Sequence, residues 1–294
     1  MLGAVGVGQH PNSGTDSAGV TDSASGTDAA AGADAVGDAN AIKQISTGYL
    51  FACGLRADRS AVCWGNNWYG QSTTPEGTFI QISAGYRFAC GLRPDGNVIC
   101  WGNNDYGQST PASGAFAQIA VGWWHSCGLR PDGTAACWGS NAFGQSTPPE
   151  GTYTQITTGE DHACGLRADG SAICWGDGRD GQCSPTTDPF TQLAAGASNT
   201  CGLRVDGSAI CWGKNDYGQS TPVTGAFVQI SAGWSHACGL RADGKVACWG
   251  RGDFGQLTPP AGPFVQLSAG GDGACGLRAD GSVACWGSFP TSSP

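Results

Sequence analysis

The sequence predicts an all-β, seven-bladed β-propeller of 37-residue repeats, closed by its N-terminal strand. Three observations predict it. CGLR begins at Cys53, Cys90, Cys127, Cys164, Cys201, Cys238 and Cys275, each 37 residues after the last and with no insertion. A period of that length, repeated seven times, marks a solenoid or a closed ring rather than several domains. Within a repeat, short β-compatible runs alternate with turn signals at roughly 8–12-residue spacing, and no helical period is sustained. Finally, an FxQI-type strand occurs seven times, beginning at Ile42, Phe79, Phe116, Tyr153, Phe190, Phe227 and Phe264, whereas the NxxGQ segment occurs six times, ending at Gln256. The first repeat opens on a strand of its own and the last stops at CWGSFPTSSP. The simplest closure has the strand at Ile42 complete the last blade. An open array would instead show polar capping repeats at its ends.

The elements follow in chain order. Residues 1–41 carry Asp16, Asp22, Asp28, Asp34 and Asp38 and no Lys or Arg. The stretch from Gly14 to Asn40 has no aromatic or large aliphatic residue, so it cannot offset its ordering entropy by burial and reads as a flexible acidic linker. MLGAVGVGQ lacks the basic start of a signal peptide; it reads as the tail of an apolar export segment beginning upstream. Residues 42–294 form the propeller. With 23 acids against 14 bases overall, 18 of those acids in the repeats, neither part offers the basic surface that nucleic acid demands. No apolar run is long enough to span a membrane, and the ring reads as a monomer.

The hairpin of each repeat sets the cysteine spacing. Ala168-Asp169-Gly170 fits a three-residue loop with glycine in the left-handed third position. Arg167 then faces Ser171, Leu166 faces Ala172, Gly165 faces Ile173 and Cys164 faces Cys174. This is a non-hydrogen-bonded pair, with Cα atoms about 4.5 Å apart, which a disulfide can bridge. The seven pairs are Cys53–Cys63, Cys90–Cys100, Cys127–Cys137, Cys164–Cys174, Cys201–Cys211, Cys238–Cys248 and Cys275–Cys285. Reduced cysteines as small core residues and a metal site are the rival readings. Zinc sites use closer pairs with a second pair nearby. Seven disulfides would imply an oxidising compartment, hence an extracellular or cell-surface protein. Cys183, where other repeats carry Ser or Leu, reads as a tolerated substitution.

The run His162, Leu166, Gly170, Trp175, Gly176, Gly181, Gln182 resembles the repeat of the regulator of chromosome condensation superfamily: a His, a Leu four on, a turn Gly, Trp-Gly, then Gly-Gln. The resemblance covers all seven repeats and implies a seven-bladed propeller. After Gln this chain has Ser-Thr-Pro in place of Leu-Gly, and it adds the cysteine pair. In repeat length it is similar to the secreted bacterial branch that includes the β-lactamase inhibitory propeller. The eukaryotic branch brings guanine-nucleotide exchange as an implied alternative, but this chain shows no basic tail and no wedge insertion.

Comparison among the repeats locates the variable positions. Before the first cysteine stand Tyr49-Leu50-Phe51, Tyr86-Arg87-Phe88, Trp123-Trp124-His125, Glu160-Asp161-His162, Ala197-Ser198-Asn199, Trp234-Ser235-His236 and Gly271-Asp272-Gly273. A second window follows each CWG and contains Trp68. A hairpin returns both windows to one end of the blade, so they meet at one mouth of the ring. A varied rim on a uniform scaffold suits recognition; loop drift is the plain alternative, but drift would favour small polar residues. The expected binding residues are Tyr49, Trp68, Tyr86, Arg87, Trp123, Trp124, His125, Asp161, Trp234 and His236. The histidines read as hydrogen-bonded scaffold more readily than as metal ligands. The Trp of each CWG reads as packing between blades, and Arg-x-Asp as tying the turn. No catalytic motif, cofactor or metal is indicated. The sequence therefore reads as a non-enzymatic binding propeller with a protein partner; a carbohydrate-binding lectin is the alternative.

Overall fold

The computed structural model describes residues 38–289; the linker expected over residues 1–41 lies almost wholly outside them. Regular structure among the described residues is entirely β, in seven sheets of three antiparallel strands. Blade one is Ile42–Thr47, Phe51–Arg56 and Ala61–Gly65. Blade seven is Gln266–Gly270, Gly273–Leu277 and Val283–Gly287. The first strand of each blade lines the central channel and the second is buried along its length. Sandwiched between neighbouring sheets, the middle strand carries small residues at its centre, Ala-Cys-Gly in five blades and Ser126 or Thr200 in place of the Ala in the other two. A Cβ added at Gly91 would lie 2.4 Å from the Phe79 ring. The apolar core lies in the seams: Phe88 and Leu92 of blade two pack with Phe116, Ile119 and Trp138 of blade three.

The hairpin register matches the expectation. Leu166 faces Ala172, Gly165 faces Ile173 and Cys164 faces Cys174. All seven expected disulfides are present, with Cα atoms 4.0 Å apart. This number of structural disulfides is a feature of proteins that fold in oxidising surroundings. Cys183 Sγ donates to the Asp177 carbonyl at 3.0 Å, the bond that Ser72, Ser109, Ser146 and Ser220 make in their own repeats. Burial pushes its thiol up to about 12, so it is a serine substitute and a poor nucleophile.

The turn itself is tied through its Asp, with Arg56 Nη1 adding a bond to Ser60 Oγ at 3.3 Å in blade one. Asp169 Oδ1 accepts from Ser171 N at 2.9 Å and Ser171 Oγ at 2.6 Å. The arginine two residues before does not pair with it; Arg130, Arg241 and Arg278 instead lie over Phe116, Phe227 and Phe264. Six hairpins place glycine at the left-handed third position, but blade one has Arg59 there at φ 69°. A side chain in that conformation costs about 1 kcal/mol or more. Arg59→Gly is expected to raise stability by up to about 1 kcal/mol, after allowing for the extra freedom glycine has when unfolded. Thermal melts of the two proteins check this, and a lower melting temperature for the variant would refute it.

Neighbouring blades are joined by side chains that imitate a strand. Gln81 Oε1 accepts from Ile119 N at 2.8 Å, and Gln81 Nε2 donates to Ile119 O at 2.8 Å. Ser83 Oγ accepts from Val121 N at 3.1 Å. The glutamine amide thus satisfies an inner-strand peptide that no ladder reaches. The FxQI tryptophan partners also behave as expected. Trp138 lies 5.7 Å from Phe116 and donates its indole N–H to the Gln108 carbonyl of the preceding repeat at 2.9 Å. Trp101, Trp175, Trp212, Trp249 and Trp286 do the same. The Trp64 N–H is buried without a partner among the described residues.

The N-terminal strand closes the ring, but not by joining the last sheet. Ile42–Thr47 is laddered to Phe51–Arg56 in blade one, and blade seven has its own inner strand. The closure is the same imitation of a strand used at the other seams. Gln266 Oε1 accepts from Ile45 N at 2.9 Å, and Ser268 Oγ from Thr47 N at 3.0 Å.

Candidate functional site: one mouth of the ring

Each inner strand ends on a glycine where the seven strands crowd together. A Cβ at Gly85 would lie 2.1 Å from the Gly122 carbonyl of the next blade, and at Gly122 2.4 Å from that of Gly159. Only glycine allows that approach. The next residue of each blade is thereby delivered to the rim of the channel. In order these are Tyr49, Tyr86, Trp123, Glu160, Ala197, Trp234 and Gly271. Their amides reach across: Trp123 N donates to Gly159 O at 3.2 Å and Trp234 N to Gly271 O at 2.9 Å. The second window returns to the same end, as Asn103 N donates to Arg87 O at 2.9 Å and Asp177 N to Asp161 O at 2.8 Å.

The aromatic residues of blades one, two, three and six meet over the channel. Tyr86 stacks on Trp123 at 4.8 Å with planes 11° apart. Tyr49 lies 4.8 Å from Tyr86. Trp234 closes the group from the far side, edge-on to Trp123 at 5.2 Å and to Tyr49 at 6.1 Å. Trp124 packs against Tyr86 at 5.0 Å and Tyr106 at 5.5 Å. Arg87 lies over Tyr69 and Tyr86 and donates to the Tyr69 hydroxyl at 2.8 Å. Rings fixed against one another this way hold their outer faces rigid at low entropic cost. Below them lies a cavity of about 270 Å³, lined by the inner strands and without an acid, base, His or Cys.

Of the expected binding residues, Tyr49, Tyr86, Arg87, Trp123, Trp124 and Trp234 converge. Trp68 is 83% exposed and touches none of these rings. His125 and His236 do not reach the surface: both are fully buried as the first residues of their middle strands. Burial pushes His125 down to about 3 and His236 to about 4, so both are neutral. Neither makes a well-formed side-chain hydrogen bond, although the backbone at Glu160 and Gly273 offsets a little of the burial. His162 alone has a clear partner, Thr200 Oγ1 at 2.9 Å. These positions are seam filler, which is why Phe51, Phe88 and Asn199 serve equally. In blade seven the position is Gly273, and the Phe289 ring lies over it.

Asp161 belongs to a second feature of the mouth. Blades four and five carry Glu160 and Ala197 where their neighbours carry tryptophan, and a cavity of about 360 Å³ opens there. Glu160, Asp161, Asp177 and Asp180 line it, with Arg179, Gln182, Ala197 and Ser198. Arg179 is committed to Asp177 through two bonds of 2.8 Å. Asp161 accepts from Gln145 Nε2 at 3.0 Å. Burial, with Asp161 and Asp177 beside it, pushes Glu160 up to about 7. Sequence reasoning singled out Asp161 but passed over Glu160, Asp177 and Asp180, as well as Tyr69 and Tyr106. The available signal was an acidic window followed by the small Ala197-Ser198.

Glu160 gives the fold a pH dependence of known sign. A carboxyl raised in the folded state binds its proton more tightly there, so its favourable contribution is present below its unfolded value of 4.5 and is lost as pH rises through about 7. Glu160→Gln is expected to match the parent near pH 4 and to exceed it near pH 8, by less than about 1 kcal/mol once solvent screening is counted. Chemical denaturation at the two pH values measures this; an equal difference at both would refute it.

The chain matches the family model of the regulator of chromosome condensation (RCC1) repeat seven times, at residues 42–71, 79–108, 116–145, 153–182, 190–219, 227–256 and 264–289. No curated protein matches it in sequence. Among solved structures it is similar to the CRINKLY WD40 ectodomain of the Arabidopsis thaliana receptor kinase ACR4, with 28% identity, 84% of this chain and 97% of that one covered, and a TM-score of 0.72. The ectodomain of the Physcomitrella patens receptor kinase CR4 is similar at 29% identity, covering 86% and 76%, with a TM-score of 0.73. Saccharomyces cerevisiae Prp20p shares the fold at 17% identity, covering 78% and 80%, with a TM-score of 0.68.

Proposed function

The chain belongs to the regulator of chromosome condensation (RCC1) repeat family, and from that premise we propose that it is a non-enzymatic binding propeller that recognises a protein partner at its aromatic mouth. The observation that carries this reading is the convergence of Tyr49, Tyr86, Trp123, Trp124 and Trp234, from four blades, into one rigid patch. The scaffold beneath it repeats without insertion, so the rim can vary on a constant frame. Large aromatics and Arg87 are the residue types that dominate interface energetics. The seven disulfides, together with the ectodomain neighbours, favour an extracellular or cell-surface location. Prp20p is described by its binding to Gsp1p and histones; at that identity the likeness supports the fold, so exchange activity is not carried over.

The test is capture of a partner by the immobilised wild-type chain in parallel with Trp124→Ala. Truncating an anchor of this type typically costs about 2 kcal/mol or more, so affinity is expected to fall at least about tenfold with the melting temperature preserved. Lys245→Ala, on the opposite turns, should leave affinity unchanged. Binding that survives Trp124→Ala but is lost in Lys245→Ala would place the functional face on the turn side. A glycan array run alongside tests the lectin alternative.

A further inference from the structure

The rim residues run aromatic, aromatic, aromatic, acidic, small, aromatic, small around the ring. Glu160 and Ala197 thus stand between Trp123 and Trp234, whose rings touch at 5.2 Å over the channel. Trp123 N is bonded to Gly159 O, and Ala197 N to Gly233 O. The acid-lined cavity therefore opens on blades four and five, with a tryptophan-bearing blade on either side of them.

Its charge is not balanced from within. Asp177 is neutralised by Arg179, whose guanidinium also rests on Phe143 at 4.6 Å. Among the described residues, Glu160, Asp161 and Asp180 have no cation bonded to them. The one other cation near Glu160, Lys214, pairs with Asp216 at 3.4 Å. Carboxylates held close together in a half-buried cavity are costly until an opposite charge enters. The cavity has the size for a side chain and not for a folded element, because Ala197 stands where the neighbouring blades carry Glu160 and Trp234.

Resting on the binding reading above, we propose that the mouth takes a partner segment in which an arginine or lysine stands within a few residues of an aromatic or large aliphatic side chain. The apolar residue lies on Trp123, Trp124 and Tyr86, and the cation enters the cavity lined by Glu160, Asp161 and Asp180. A cation held among these carboxylates is selected by charge, so the cavity sets specificity while the aromatic patch supplies contact area.

The probe is a displayed library of short random peptides, panned on the full chain, on Glu160→Gln/Asp161→Asn and on Trp123→Ala/Trp124→Ala. Both acid substitutions are near-isosteric and remove buried charge, so the fold is retained; melting curves verify this. Peptides selected on the wild type are expected to be rich in Arg or Lys close to an aromatic residue. Those selected on the acid variant should keep the aromatic residue and lose the basic one. The best wild-type peptide should lose at least about tenfold in affinity for the acid variant, and equally when its arginine is replaced by citrulline. Selection of apolar peptides without basic enrichment would overturn this inference and leave the aromatic mouth standing. No enrichment on the wild type beyond that on the tryptophan variant would overturn both.

Discussion

Full reduction of the seven disulfides is expected to unfold the ring. Each closes a hairpin loop of about 11 residues, for which the chain-entropy model gives roughly 3 kcal/mol. Seven such terms total on the order of 20 kcal/mol, against the 5–15 kcal/mol typical of a whole domain. Even at half that value per bond, little net stability would remain. The reason lies in the middle strands. Ala-Cys-Gly at their centres, with Ser126 or Thr200 for the Ala in two blades, buries little apolar area, so the cross-link replaces packing that thin strands cannot provide. Near-UV circular dichroism of the reduced, alkylated chain reads the effect through its 11 tryptophans. A chain that keeps this signal and melts within a few degrees of the oxidised form would show the bonds to be dispensable.

Deletion through Thr47 is expected to be almost as severe, whereas deletion of residues 1–37 should leave the melting temperature unchanged. The longer cut takes the inner strand of blade one. It removes Ile42 and Ile45 from the cluster they share with Trp64, Cys275 and Leu277, about 2 kcal/mol each. It also breaks the bonds of Gln44 and Ser46 to blade two and of Gln266 and Ser268 to blade one, about 1 kcal/mol each. At roughly 2–4 °C per kcal/mol for a chain of this size, the melting temperature falls by about 15 °C or more. Truncations that melt together would show that the seam between blades seven and one contributes nothing.

The fold was legible because its signals are local. Asp-Gly in a three-residue loop sets the hairpin register, and the register sets which cysteines meet; no long-range information is needed. The phase of the blades was not legible. A sequence with a period of 37 has no intrinsic first strand, so the strand at Ile42 fitted either its own blade or the last one. Only the pairing of Gln44 with Leu55 decides it. The site was legible in part. Trp123 and Trp234 announce themselves by size, whatever their environment. His125 and His236 misled because variation among repeats was read as exposure, whereas a seam that accepts Phe, His or Asn varies just as freely while buried. The cavity at Glu160 was missed because it is made by what is absent, the small side chain of Ala197 one repeat later.

The glutamine contacts between blades carry a consequence of a different kind. They read only the peptide of the next strand and never its side chain, so this part of each seam tolerates any neighbour, whereas the apolar packing beside it and contacts such as His162 with Thr200 do not. The rim is then a display in which one blade's letter can change while the glutamine frame beneath it stays the same, with the letters of blades one, two, three and six read together because their rings touch.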